Sequence, residues 1–243
     1  MSFSGVVGKI KRRYHAVRFG VLSWEKNVEC PCCGWQGKVF LSFGTSEVRA
    51  NALCPRCCAL ERHRLYYLYL KKVLPTDRPM RVLHFAPEEV LAKLFQGYPN
   101  IDYLSVDLVT GVAMQQADLM QLQFSDNSFD VIFCAHVLEH VPSDLQAMRE
   151  LHRVLSPRGF AILQVPIHAD RAVTFEDEKI IDPAERERVF GQRDHVRIYG
   201  TDYPKRLQAA GFTVRVDRFA DTLTAEERKR YGIVSEDLYY CTK

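Results

Sequence analysis

DNSFDVIFCAHVLEHVPSDLQAMRELHRVLSPRGFAILQVP, residues 126–166, reads as loop, buried strand, crossover helix, turn and second buried strand. Val131–Cys134 is an apolar run too short for a helix and bounded by turn residues. From Ser143 the pattern changes to Leu145, Met148, His152 and Leu155, a period near that of a helix. Ser143 or Asp144 is placed to cap this helix, and Pro157-Arg158-Gly159 to stop it. Phe160–Val165 is again an apolar run, broken only by Gln164. Two such runs joined by a helix predict parallel strands covered on both faces. In open sheets of this kind, ligands sit beyond the carboxyl ends of the strands. The polar trio His136, Glu139 and His140 falls there. His136 and His140 share a helical face if the helix begins that early. Imidazole suits proton removal near neutral pH, so both are candidate catalytic bases, with packing or capping as the competing role.

Outward from this unit the alternation continues. Arg81–Phe85 reads as a strand, Glu88–Phe95 as a helix, and Tyr103–Val106 as a strand ending in Asp107. Met114–Ala117 forms a short third strand ending in Asp118. Thr201–Ala210 reads as a helix stopped at Gly211, and Thr213–Phe219 and Leu238–Cys241 as two late strands. The expectation is a doubly wound, mostly parallel, seven-stranded α/β sheet over residues 80–243.

The chain has 243 residues, enough for one α/β domain and a small module. It is 47% hydrophobic and 26% charged, as expected of a globular protein. No apolar run reaches the ~18–20 residues that span a bilayer. The opening residues lack the apolar core of a secretion signal. Both points lead us to expect a cytoplasmic protein without a membrane partner. Residues 1–27 form a basic arm. Residues 1–80 hold fourteen Lys and Arg against five Asp and Glu, whereas the remainder holds nineteen against twenty-five. The basic part can meet nucleic acid or an acidic partner, or can simply offset a thiolate site and dock on the acidic part.

The cysteines explain the small module, residues 28–60. Cys30/Cys33 and Cys54/Cys57 are two C-x-x-C pairs, with Pro or Gly shaping each knuckle. Such pairs let four thiolates close around one tetrahedral zinc ion, which then has no open position and is structural. β-rich segments at Val39–Phe43 and Val48–Ala52 fit a zinc ribbon. Disulfides are disfavoured in a reducing compartment. Cys32 and Cys58 are neighbours that leave a shifted ligand open. Residues 61–79 are a connecting helix and linker, in which Arg62, His63 or Arg64 either packs or faces substrate.

Together, FDVIFCAHVLEHV, LHRVLSPRG and the acids at Asp107 and Asp118 resemble the class I S-adenosylmethionine-dependent methyltransferases, in their small-molecule-type branch. The resemblance covers residues 81–243 and implies a Rossmann-like sheet and S-adenosylmethionine as cofactor. It assigns Asp107, with Leu108 beside it, to the ribose hydroxyls. Asp118 and Leu119 fall at the adenine, and Ala135 and His136 at the sulfonium. An ionised carboxylate accepts from two adjacent hydroxyls. Where the family has a glycine-rich turn, this chain has His84-Phe85-Ala86-Pro87-Glu88 with no glycine. Ala86 allows close approach, Pro87 can open the next helix, and Glu88 offers a carboxylate to the cofactor ammonium. His84 is grouped with this loop.

Residues 167–200 follow the fifth strand, where the family builds a substrate lid. His168 and the run Phe190–Gly200 carry the candidates: Asp194 to orient His195, Arg197 to clamp an anionic group, with Tyr199 and His140 beside them. An ion-paired structural loop is the competing reading. The expected function is methylation of a small-molecule acceptor at oxygen, nitrogen or carbon. The alternatives are an RNA methyltransferase gripping RNA with its zinc ribbon, and a non-catalytic methyltransferase-like binding protein. Oligomeric state is open.

Overall fold

The structure, a computed structural model, describes residues 25–44 and 48–243. Most of the basic arm therefore lies outside the described residues. In chain order the first elements are strands β1 (Val28–Glu29), β2 (Gln36–Gly37), β3 (Leu41–Phe43) and β4 (Arg49–Leu53), then helix α1 (Glu61–Val73). Next come β5 (Met80–Phe85), α2 (Glu89–Gln96), β6 (Ile101–Asp107), β7 (Gln115–Gln116), β8 (Phe129–Ala135), α3 (Asp144–Val154) and β9 (Leu155–Gln164). They are followed by β10 (Phe175–Glu176), α4 (Pro183–Phe190), β11 (Arg197–Ile198), α5 (Tyr203–Ala209), β12 (Thr213–Asp217), α6 (Ala225–Tyr231) and β13 (Leu238–Thr242).

These elements fall into two compact units. One comprises the described residues up to Pro75 together with Glu88–Leu94 and Arg218–Asp237. Its cysteine knuckles sit on two small antiparallel pairs, β1 with β2 and β3 with β4. Arg64 is its buried tie. The guanidinium lies over the Phe40 ring and donates to the carbonyls of Ala52, Ala59, Tyr231 and Gly232. Of the residues that open α1, Arg64 thus packs. His63 Nδ1 accepts from the Leu60 N–H at the start of the helix.

The other unit holds the seven-stranded sheet, in the order β12-β13-β9-β8-β5-β6-β7. β13 runs antiparallel to β9 and β12, and the remaining pairs are parallel. The doubly wound, mostly parallel architecture is as expected. The apolar runs of β8 and β9 are buried; on the face that α3 covers, Ile132, Cys134, Ala161 and Leu163 pack with Met148 and Leu151. Chain order reverses direction between β5 and β8, so their carboxyl ends flank the crevice where doubly wound sheets bind ligands.

Three local expectations change. Ser143 caps α3 by accepting from the Gln146 N–H, but the helix stops at Leu155, before Pro157-Arg158-Gly159. Those three residues belong to β9. Gly159 is required there by close approach, since a Cβ would meet the Asp130 carbonyl oxygen at 2.6 Å. Residues 136–143 are turns, not helix, so His136 and His140 do not share a helical face. Pro87 precedes α2 rather than opening it: the Glu88 carbonyl accepts from Leu91 and Ala92.

Candidate active site and metal centre

The four predicted zinc ligands come together. The Sγ atoms of Cys30 and Cys57 are 3.6 Å apart, and those of Cys33 and Cys54 3.7 Å. No sulfurs are disulfide-bonded. Thiolates ~2.3 Å from a tetrahedral ion lie about 3.8 Å from each other, so this cage fits such an ion without rearrangement. Cys32 stands outside it, its thiol directed at the His63 carbonyl at 4.0 Å. Hydrogen bonding with Cys30 lowers the Cys33 thiol, favouring a thiolate in the cage.

At the sheet's switch point, Ala86 and His136 directly follow β5 and β8. Both are left-handed, with φ of 46° and 56°. A non-glycine residue there costs ~1–2 kcal/mol, and such strain gathers at functional sites. Their backbones are held by hydrogen bonds into the sheet, Ala86 N–H to Val106 and His136 N–H to Gln164. The glycine-free loop therefore keeps a glycine-type conformation.

Asp107 ends β6, and its Oδ1 accepts from the Val109 N–H at 2.8 Å. Asp118 does the same for Met120. Each carboxylate shapes its own turn with one oxygen. Leu108 and Val109, beside Asp107, are 65% and 61% exposed, an apolar platform at the acid. Leu119 and Ala135 are buried. His84 does not reach this edge. Its buried ring packs against Phe95, Tyr103 and Phe133, with Nδ1 3.0 Å from the Tyr103 hydroxyl. Glu88 belongs to the other compact unit.

Past β8, the turn bearing Val137–Ser143 is held from afar. Arg197, 2% exposed, donates to the carbonyls of Leu138, Val141 and Pro142 and to Glu176. Its guanidinium is thus committed to this turn rather than turned to an anionic substrate. The Tyr199 hydroxyl donates to Asp144 and Leu138, and burial raises its pKa well above that of free tyrosine. Arg206 pairs with Asp144 at 2.6 Å and Glu176 at 3.0 Å. His168 is exposed, its N–H bonded to the Tyr199 carbonyl.

Asp194 faces His140 rather than His195: its carboxylate lies 3.4 Å and its carbonyl 3.3 Å from His140 Nδ1. The His140 and His195 rings meet edge to face at 4.7 Å. Glu139 joins them from beneath, bonded through its own carbonyl to the Val196 N–H. His136 Nδ1 is 3.4 Å from Glu139 Oε1. Sequence reasoning put Glu139 on the rim but gave it no role; its contact with His195 crosses more than fifty residues and needs the fold to be seen.

Residues 81–163 match the family model described as a methyltransferase domain. Over these residues the chain is similar to a methyltransferase domain. Demethylmenaquinone methyltransferase of Staphylococcus epidermidis is 41% identical over 51 residues, 21% of either chain. An uncharacterised protein of Methanocaldococcus jannaschii is 39% identical over 67 residues, 26% of this chain and 29% of its own. The match thus spans less than a third of these curated relatives. Among solved structures, 1,6-didemethyltoxoflavin-N1-methyltransferase of Burkholderia thailandensis superposes with TM-score 0.50 at 16% identity, covering 74% of this chain and 77% of its own. The 4+2 cyclase SpnF gives 0.51 at 16% identity, covering 74% and 80%. These two likenesses place the methyltransferase domain's fold, which serves more than one chemistry. No helix among the described residues is long and apolar enough to cross a membrane.

Proposed function

We propose that the chain is an S-adenosylmethionine-dependent methyltransferase acting on a small-molecule acceptor, and that it also carries a structural zinc site of Cys30, Cys33, Cys54 and Cys57. The observation that carries the transfer reading is the left-handed pair Ala86 and His136 flanking the switch point. It lets backbone approach a ligand in a loop without glycine. Asp107 would take the ribose hydroxyls with the oxygen that its turn leaves over, beside the apolar Leu108. Asp118 and Leu119 fall at the adenine, and Ala135 and His136 at the reacting methyl. The cofactor supplies an electrophilic methyl on a sulfonium, so the protein's task is to align the acceptor and exclude water. His136 and His140 stand at the rim where a proton has to be handled. Arg197 and Tyr199 act as positioning residues for that turn.

The names of the relatives, demethylmenaquinone and didemethyltoxoflavin methyltransferases, support a small-molecule acceptor. Eight free cysteines, four of them caged, suit a reducing compartment such as the cytoplasm. Calorimetric titration of the zinc-loaded protein with S-adenosylmethionine tests the reading. Micromolar binding is expected; absence of binding would leave a non-catalytic module. Transfer of labelled methyl groups into cell extract, separated into small-molecule and RNA fractions, decides the acceptor: label confined to RNA would refute the small-molecule assignment.

A further inference from the structure

We infer that Glu139, His140 and His195 form a second metal site, which takes one divalent transition ion and leaves coordination positions open for oxygen atoms of the acceptor. One donor atom from each residue lies within 4.8 Å of the others. Donors around a tetrahedral ion stand roughly 3.4 Å apart, so a small side-chain closure completes the set. Glu139 is 1% exposed, and its Oε2 has no hydrogen-bond partner. A buried carboxylate oxygen left unpaired is costly unless a cation satisfies it. His136 reaches only the other oxygen, Oε1.

The two imidazoles are prepared in the way metal ligands are. Asp194 holds His140 at Nδ1, which leaves Nε2 as the nitrogen for an ion. A partner on one ring nitrogen fixes the tautomer and orientation of the other. His195 is 7% exposed, and its ring stands edge to face with that of His140 at 4.7 Å. Two histidines and one carboxylate favour zinc-, cobalt- or iron-type ions over magnesium or calcium. Three protein ligands leave an open position, unlike the closed cysteine cage.

An acceptor hydroxyl bound there becomes more acidic. Its proton leaves to water, the oxygen bonds the methyl carbon as the carbon–sulfur bond breaks, and the electron pair stays on sulfur. The site thus narrows the acceptor to oxygen-rich, chelating small molecules. That role rests on the methyl-transfer reading; ion binding itself does not.

The test is a Co2+ titration of full-length protein whose cysteines already hold zinc, followed by visible absorption and calorimetry. One Co2+ per chain is expected, with d–d bands and without thiolate charge transfer. His195→Ala and Glu139→Gln should each raise the Kd at least tenfold, with a cooperative melt reporting their fold. No saturable second site in the wild-type protein overturns the inference, whether or not the variants fold. An unchanged Kd in both folded variants overturns it equally. Measuring S-adenosylmethionine binding on the same samples separates the two readings. Cobalt without cofactor binding sinks methyl transfer alone, and cofactor without cobalt sinks the metal site alone.

Discussion

The cysteine cage and the Glu139–His140–His195 cluster are both sets of metal-capable donors, but they are assembled in opposite ways. The cage takes its four sulfurs from two C-x-x-C turns, each fixed by its own backbone: the Cys30 carbonyl accepts from Cys33 and Gly34, and Cys54's from Cys58. The rim cluster takes Glu139 and His140 from one turn and His195 from a segment more than fifty residues later. Its turn is held chiefly by Arg197, which donates to the carbonyls of Leu138, Val141 and Pro142. Four ligands close the first site, and three leave the second open. A closed site stabilises a fold, whereas an open one meets a ligand.

The comparison breaks most visibly at the cage. Cys33→Ser or Cys54→Ser should abolish stoichiometric zinc and unfold the cysteine unit, because structural zinc contributes on the order of 10 kcal/mol to folding. Cys32→Ser should keep one zinc per chain. Metal analysis with hydrogen exchange over residues 28–60 checks both; zinc retained in Cys54→Ser would mean that a neighbour replaces it.

This contrast also explains what could be read from residues alone. The cage was legible because its ligands are close in sequence and their spacing is itself the geometry. The sheet was legible because β8 and β9 are buried on both faces, which writes apolar runs at Val131–Cys134 and at Phe160–Val165, the latter broken only by Gln164. The rim was not. Asp194 precedes His195 and invites a pairing with it, yet the fold swings Asp194 to His140. Arg197 has the look of an anion clamp, yet its donors go to backbone carbonyls that the Val137–Ser143 turn leaves unpaired. A turn that is not helical must find partners for those carbonyls, and no local pattern announces which arginine supplies them. His84, adjacent to the cofactor loop in sequence, points into an aromatic box because strand alternation sends it there.

The next break is in the rim's scaffold. Asp144 is buried between Arg197, Arg206 and Tyr199. Burial alone would raise its pKa, but the Arg206 hydrogen bond and the two guanidinium charges hold it below the ordinary 3.8. The stability from this pairing is therefore fully present above the unfolded value of ~3.9 and is lost as pH falls through the lower folded value. Asp144→Asn leaves two guanidinium groups facing a neutral amide, which should cost about 3–5 kcal/mol at neutral pH and flatten the acid limb of the stability profile. Denaturant melts between acid and neutral pH measure this. A variant as stable as wild type at neutral pH would show that the network is not what holds the turn.

A smaller effect belongs to the cofactor edge. Asp107→Ala removes a charged acceptor worth roughly 1.5–3 kcal/mol, so S-adenosylmethionine affinity should fall tenfold or more while the cage keeps its zinc. Calorimetry reads the Kd, and an unchanged value would remove Asp107 from the ribose role.

The smallest change separates strain from contact at the switch point. Ala86 is left-handed at φ 46° in a loop where a glycine would be at ease. Ala86→Gly relieves about 1 kcal/mol of backbone strain but increases the freedom of the unfolded chain, which offsets roughly half of that or more. The net should be a stabilisation of about 0.5 kcal/mol at most, read from denaturant melts, with S-adenosylmethionine affinity within twofold of wild type. Because the backbone conformation is already glycine-like, the substitution changes little that a ligand sees. A loss of stability beyond about 1 kcal/mol would mean that the Ala86 methyl packs and that the loop is shaped by contact rather than by strain. A large loss of affinity with stability intact would mean instead that the rigidity of alanine at this position, not merely its small size, prepares the crevice.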